Sequence, residues 1–194
     1  MDGKVYQRDD NTQNAVSCET DLGGQFNSKK ILNESICIQS QFWKWFRYSE
    51  IFEIKKGKRL TKADMIPGDI PYIGAIASNN GRTAYIANDR WVHPSNTISV
   101  SYNGSIAEAF YQPDDFWATD DVNVQYPKFA MNKYTAFFLV TIIKREKYRF
   151  NYGRKWDKEL MEQSKIKLPV NSDGNPDWQF MEDYIKSLPY SANL

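Results

Sequence analysis

The sequence predicts an α/β fold of the α+β kind, in which a twisted, partly barrel-like mixed sheet is flanked by helices. Three observations predict it. From Ile70 to Tyr126, short β-branched and aromatic runs alternate with Gly, Pro, Asn and Asp clusters. Near 132–146 and 177–188, apolar residues recur instead at three- and four-residue spacing. The 194 residues include 6 Trp, 12 Tyr and 11 Phe. Because each ring can bury roughly 150–250 Å², the chain can build one proper core despite a mean hydropathy of -0.65.

The elements follow in order. Residues 1–41 are rich in Asp, Asn, Gln, Ser and Thr, are broken by Gly23-Gly24 and carry only scattered apolar residues, which predicts a weakly structured N-terminal arm. The folded domain is then expected over 42–194. It begins with the aromatic run Phe42-Trp43-Lys44-Trp45-Phe46, one helical turn at 48–52 and a basic strand or loop over 53–62 that contains Gly57. Strands are predicted at 70–75, 83–86, 97–102, 106–111, 116–119 and 122–126. Asn80-Gly81 and Asn103-Gly104 mark hairpin connections between them, since Asn and Gly tolerate positive φ. Asn132 caps an amphipathic helix with Tyr134, Phe137, Phe138, Thr141, Ile142 and Arg145 along it. A loop over 148–156, a short helix over 158–163, a strand over 166–170 and the Asp173-Gly174 turn come next. The last helix, 177–187, places Phe180, Tyr184, Ile185 and Leu188 on one stripe and stops before Pro189.

Several classes of function lack their parts. No stretch approaches the ~20 apolar residues of a membrane span, and the polar residues 1–10 hold no signal-peptide core, so a cytoplasmic location is expected. Cys18, Cys37 and the distant His93 cannot assemble an ordinary zinc site, so neither metal nor cofactor is expected. His93, before Pro94, reads as a turn residue. No Gly-rich phosphate loop and no GxSxG elbow occurs. The sequence Glu53-Ile54-Lys55, with Pro113-Asp114 and Pro176-Asp177, contains the residue types of a metal-dependent nuclease, although both Pro-Asp pairs follow the Glu-x-Lys instead of preceding it. An endonuclease and a protein-interaction module stay open as alternatives to a chain that catalyses nothing.

The net charge of +1 is silent about partners, but its distribution is informative. Residues 128–167 carry eleven Lys or Arg against four Asp or Glu, and residues 55–62 carry five basic residues and no acidic one. Acidic charge collects elsewhere in the sequence, at Glu108, Asp114, Asp115, Asp120 and Asp121. Within the richer stretch, residues 148–156 interleave Arg149, Arg154 and Lys155 with aromatic rings and Asn151. Such side chains suit double-stranded DNA: Arg donates twice to guanine, Asn pairs bidentately with adenine, and Lys or Tyr holds phosphates. Candidate phosphate or base contacts are Lys55, Lys56, Lys58, Arg59, Arg82, Arg149, Arg154 and Lys155. Candidates for base edges are Asn79, Asn80, Tyr102 and Asn103. For each set an ordinary structural reading stands beside this one: Phe150 and Trp156 can pack into the core, the lysines can guard a strand edge, and Asn-Gly pairs form turns first.

The order of these motifs resembles a family. Trp45-Phe46, Ile51-Phe52-Glu53-Ile54, Lys56-Gly57-Lys58 and Gly68-Asp69-Ile70-Pro71-Tyr72-Ile73 are similar to the opening of a target recognition domain from the specificity subunit of type I restriction-modification systems. The similarity continues through Asn79-Asn80-Gly81, Asn103-Gly104-Ser105, Phe116 to Val122, Tyr148 to Lys155, Leu168-Pro169-Val170 and Pro176 to Ser191. It covers about residues 42 to 191 and extends equally to the specificity subunits of type II enzymes of the BcgI-like group. The resemblance implies a non-catalytic DNA-reading domain that directs methyltransferase and restriction subunits to a bipartite site. The chain has room for one such domain and ends soon after Pro189, short of the helix that spaces two domains in that family. A half-subunit, a fragment, or a relative that pairs with a second copy or a second recognition domain all fit.

Overall fold

Residues 43–194 are those described by the computed structural model, so the arm expected over 1–41, together with Cys18 and Cys37, lies outside the described residues. Over the described residues the fold is mixed α+β, and its strands divide into two four-stranded sheets and a two-stranded ribbon. The first sheet is antiparallel throughout, in the order β2 (Phe52–Lys56), β9 (Val122–Pro127), β6 (Thr97–Ser101) and β7 (Ala109–Gln112). The second has the order β4 (Arg82–Ile86), β3 (Pro67–Ile73), β8 (Phe116–Ala118) and β5 (Val92–His93), and its β3–β8 pair is parallel. The ribbon joins β1 (Trp43–Arg47) to β10 (Lys165–Pro169). Four α-helices accompany the strands among the described residues: α1 (Tyr48–Ile51), α2 (Lys133–Arg145), α3 (Lys158–Gln163) and α4 (Trp178–Ser187).

Alternation decides which way each strand faces. On β6, Ile98 and Val100 join the main core under the helices. On β9 it is Val122 and Val124 that turn the other way, meeting Ile73, Phe116 and Ala118 of the second sheet in a smaller core between the sheets. Burying each such side chain stabilises the fold by roughly 1.5–3 kcal/mol. Gly57 stitches the sheets together: its N–H donates to the Val122 carbonyl and the Lys58 N–H donates to the Ala118 carbonyl, both within 2.9 Å. The segment after β2 thus passes from pairing with β9 of one sheet to pairing with β8 of the other within a single residue.

The helices start where capping chemistry allows. The Asn132 side chain accepts from the N–H groups of Tyr134 and Thr135, both at 3.0 Å, and Asp177 accepts from Phe180 at 2.9 Å. The buried stripe of α2 centres on Ala136, Phe138, Leu139 and Ile143, leaving Phe137 and Ile142 half-buried. On α4 the fully covered positions are Met181 and Ile185, while Leu188 is exposed, so the expected stripe is rotated toward Met181. Trp178 lies flat on Phe129, ring centroids 3.6 Å apart.

Two local expectations are corrected. His93 is a strand residue, buried beside Phe116, with Nδ1 2.8 Å from the Tyr126 hydroxyl. The expected strand at 106–111 begins at Ala109, because Ala107 takes φ 61 within a loop that folds back onto Ser101.

Candidate nucleic-acid interface

Both asparagine turns sit at the end of β3. Gly74 N–H donates to the Gly81 carbonyl at 2.8 Å, and one residue on, the Ala75 carbonyl accepts from Ser105 N–H at 3.1 Å. Loops that the sequence separates by some twenty residues are therefore neighbours. Asn79 and Asn80 take φ of 51 and 54, and Gly81 and Gly104 take 77 and 66, as the turn signals required. The amides differ in what they leave free. Asn80 Nδ2 donates inward to the Tyr111 carbonyl at 3.0 Å, and its own carbonyl accepts from Gln112 Nε2 at 3.1 Å. Asn79, exposed, holds only its neighbour: Nδ2 donates to the Arg82 carbonyl at 2.9 Å and Oδ1 accepts from the Arg82 guanidinium at 3.3 Å. Asn103 Nδ2 donates to Asp121 at 2.9 Å, leaving its oxygen without a partner among the described residues.

Strand alternation separates the first basic run. Lys56 reaches the asparagine turns, its ammonium 5.1 Å from the Tyr102 ring centre. A hydrogen bond with Tyr102, aided by the charges of Asp120 and Glu159, holds its pKa above the ordinary lysine value. Lys55 points to the opposite face, 3.6 Å from Glu53 and over the Tyr126 ring at 4.2 Å. Beyond the Gly57 crossing, Lys58 lies over Trp91 at 5.6 Å and Arg59 is 3.9 Å from Asp120. The four cations expected to act together thus serve three places.

The loop over 148–156 resolves into anchors and exposed charge. Trp156 is fully buried, donates its indole N–H to Ser164 Oγ at 3.0 Å, stacks on Phe150 at 4.7 Å and meets Tyr48 edge-on at 5.2 Å. Those two rings are core. Arg149 is paired with Glu146. Arg154 lies 5.8 Å from the Phe150 ring centre, held by the Asn151 side chain, which accepts from the N–H groups of Gly153 and Arg154. Arg154 and Lys155 are both exposed, with no carboxylate in ion-pair range among the described residues.

Acidic residues that the sequence places apart from the basic ones meet them in space. Glu108, largely covered, receives Lys147 at 2.7 Å and Lys144 at 3.5 Å, so the turn at 103–108 is tied to the end of α2. Lys144 and Lys147 were not candidates, although their spacing of three at a helix end puts them on one side. Arg90, over the Trp91 ring at 5.3 Å, lies outside the residues the sequence singles out, although an adjacent cation and ring in a turn are legible there. Glu53, the carboxylate of the nuclease-like tripeptide, is paired with its own Lys55. Among the described residues no three His, Cys, Asp or Glu side chains gather closely enough to hold a metal ion, and no helix is long and apolar enough to cross a membrane.

Two sheets stitched at a glycine, with both asparagine turns, Lys56 and Tyr102 meeting at the end of β3, make a scaffold of loops displayed on rigid strands. The comparisons place it. The family model for the type I restriction modification DNA specificity domain matches residues 41–190, and the chain belongs to that family. It is 41% identical over 147 residues to the specificity subunit S.BcgI of a type II restriction enzyme from Heyndrickxia coagulans, a match covering 75% of this chain and 43% of the relative. Among solved structures it is similar to the type I restriction-modification S subunit from M. genitalium, with TM-score 0.59 and 18% identity over 75% of this chain and 37% of that one. The HsdS subunit from Thermoanaerobacter tengcongensis gives TM-score 0.57 at 11% identity, covering 83% of this chain and 41% of the other. The chain thus spans less than half the length of these relatives.

Proposed function

We propose that this chain reads sequence in double-stranded DNA as the specificity module of a restriction-modification system, and that it directs methyltransferase and restriction partners without catalysing a reaction itself. The observation that carries the reading is the meeting of the two asparagine turns with Lys56 and Tyr102 at one end of β3, in a chain of the DNA specificity domain family.

The roles divide by what each side chain has free. Asn79, Arg82, Tyr102 and Asn103 take base edges in the major groove. Lys56, Lys58, Arg59, Arg154 and Lys155 take phosphates. Asn80, Lys55 and Arg149 serve the fold: the Asn80 amide nitrogen is turned inward onto the Tyr111 carbonyl, and Lys55 and Arg149 are paired with Glu53 and Glu146. Phosphate contacts set affinity, and two or three base contacts worth about 1–3 kcal/mol each set the sequence. The module reads one part of a bipartite site in the cytoplasm, and a second copy or second recognition domain reads the other. The relative S.BcgI, of which the match covers 43%, is the specificity subunit of a type II restriction enzyme, which leaves room in that protein for a second such module.

Selection from a random duplex library at moderate salt, followed by sequencing, tests the reading. One recurrent short motif is expected, lost when Asn103→Ala and Arg82→Ala are combined. Retention without any preferred sequence, or no retention at all, overturns it.

A further inference from the structure

A second surface lies on the far side of the Gly57 crossing. The segment after β2 and the loop between β4 and β5 face each other across an open cleft of about 360 Å³, lined by Lys58, Arg59, Ile66, Arg90, Trp91 and Trp117 among others. Its floor is Trp117, 4% exposed, whose indole N–H donates to the Lys58 carbonyl at 2.6 Å. Its walls are apolar side chains that the fold leaves in water: Trp91 is 48% exposed and Ile66 58%. A half-exposed Trp costs hydration free energy unless something covers it.

The walls are fixed in place. Asn88 Oδ1 accepts from Ile66 N–H at 2.9 Å while its Nδ2 donates to the Asp64 carbonyl at 3.1 Å. Ala87 N–H donates to the Ile66 carbonyl at 2.7 Å. Gly68 is pressed against Ala87, where a Cβ would come within 2.6 Å. A cleft held this way loses little entropy when it is filled.

Charge selects the occupant. Lys58 and Arg90 lie over the Trp91 ring at 5.6 and 5.3 Å, and neither has a carboxylate in ion-pair range among the described residues. Arg59 adds a third cation, partly answered by Asp120, and Asp89 is the one carboxylate on the lining. A neutral or basic protein face would leave these cations desolvated against apolar side chains, whereas a sugar–phosphate chain offers anions and apolar deoxyribose faces together. Lys and Arg donate to phosphate oxygens, and the Trp91 face between them is an apolar surface for the sugars.

We infer that this cleft is a second DNA-contacting surface, in which Lys58 and Arg90 hold phosphates of the duplex flanking the recognised bases while Trp91 lies against the sugars between them. The inference rests on the DNA-reading function proposed above and assigns to Arg90 and Trp91 a role separate from base reading. Its contacts add affinity to every duplex alike and leave the selected sequence unchanged.

The test is titration of the full chain with fluorescein-labelled duplexes, one carrying the selected motif and one scrambled, across a series of salt concentrations. Lys58→Ala with Arg90→Ala should weaken both duplexes by the same factor and lower the slope of log affinity against log salt by about 0.9 per cation removed. Trp91→Ala should weaken both duplexes without altering that slope. Arg90→Glu, on an exposed loop position, repeats the test should the double variant fold poorly by circular dichroism. Unchanged affinity and slope in variants of a wild-type chain that binds DNA overturn this inference alone. Weakening confined to the motif duplex also overturns it, since that result means base reading. A wild-type chain that binds neither duplex removes the proposed function and this surface together.

Discussion

The Cα of Gly57 lies against the carbonyl oxygen of Thr119: a Cβ added there would stand 2.1 Å from that oxygen and 2.7 Å from the carbonyl of Ala118. Both obstacles are backbone, so neither can swing aside. The closeness exists because the segment after β2 changes its hydrogen-bond partner from β9 to β8 at this residue, and it sets Lys56 and Lys58 in different surfaces. Gly57→Ala should destabilise the domain by about 1–3 kcal/mol, the usual cost of overpacking. Urea unfolding followed by tryptophan fluorescence measures this; a midpoint unchanged from wild type would mean that the two sheets are not joined here.

His93 makes stability depend on pH. Burial, and then the charge of Lys55, lower its pKa from 6.5 to about 4. The folded chain therefore keeps the ring neutral where the unfolded chain begins to protonate it. Between pH 6.5 and about 4 the unfolded state binds more protons, so stability falls as the pH is lowered through that window and is unaffected above it. The full effect is about 3 kcal/mol, from 1.36 kcal/mol per pKa unit. Unfolding free energies at pH 7.5 and 4.5 should differ by less in His93→Gln than in wild type. Equal differences would show that His93 is not the group responsible.

Asn80 separates turn chemistry from recognition. Its φ of 54 strains any residue with a Cβ other than Asn or Asp, and its amide holds the Tyr111 carbonyl while its carbonyl serves Gln112, which is 3% exposed. Asn80→Ala should cost about 1–3 kcal/mol, and Asn80→Gly less, because glycine removes the strain while losing the same amide. Thermal melting of the two variants decides this: equal losses would place the whole effect in the hydrogen bonds.

Much of this fold can be read locally. Caps at Asn132 and Asp177 and positive φ at Asn80, Gly81 and Gly104 depend on residues a few positions apart, and the sequence displays them directly. Partition of the strands among sheets depends on long-range pairing. Nothing near Trp43 announces that β1 will pair with Pro169, and nothing near Tyr72 announces a parallel partner at Trp117. The same limit governs the interface. Lys55 and Lys56 are equivalent as letters, and only the register of β2, with Ile54 turned inward, sends them to opposite faces. Glu108 likewise reads as part of an acidic run until the fold places it beside α2.

That placement gives the last prediction. Glu108 holds Lys147 at 2.7 Å and Lys144 at 3.5 Å, and its side chain is 14% exposed against 57% and 38% for the lysines. Burial pushes its pKa up, but the hydrogen bond from Lys147 and the charge of Lys144 outweigh burial and bring the pKa below the ordinary glutamate value. Glu108 therefore carries its full negative charge at neutral pH, answering two cations beside the asparagine turns. Replacing it by Gln preserves shape and releases both ammonium groups. Two effects of opposite sign should follow: a loss of stability of about 1–2 kcal/mol as the charged hydrogen bonds weaken, and tighter DNA binding at low salt with a salt slope steeper by up to about 0.9 for each lysine that finds a phosphate. Urea unfolding reads the first and duplex titration at two salt concentrations reads the second. A variant that is destabilised yet binds with an unchanged slope would show that Lys144 and Lys147 lie beyond reach of the duplex, leaving the phosphate contacts to the cations assigned to them above.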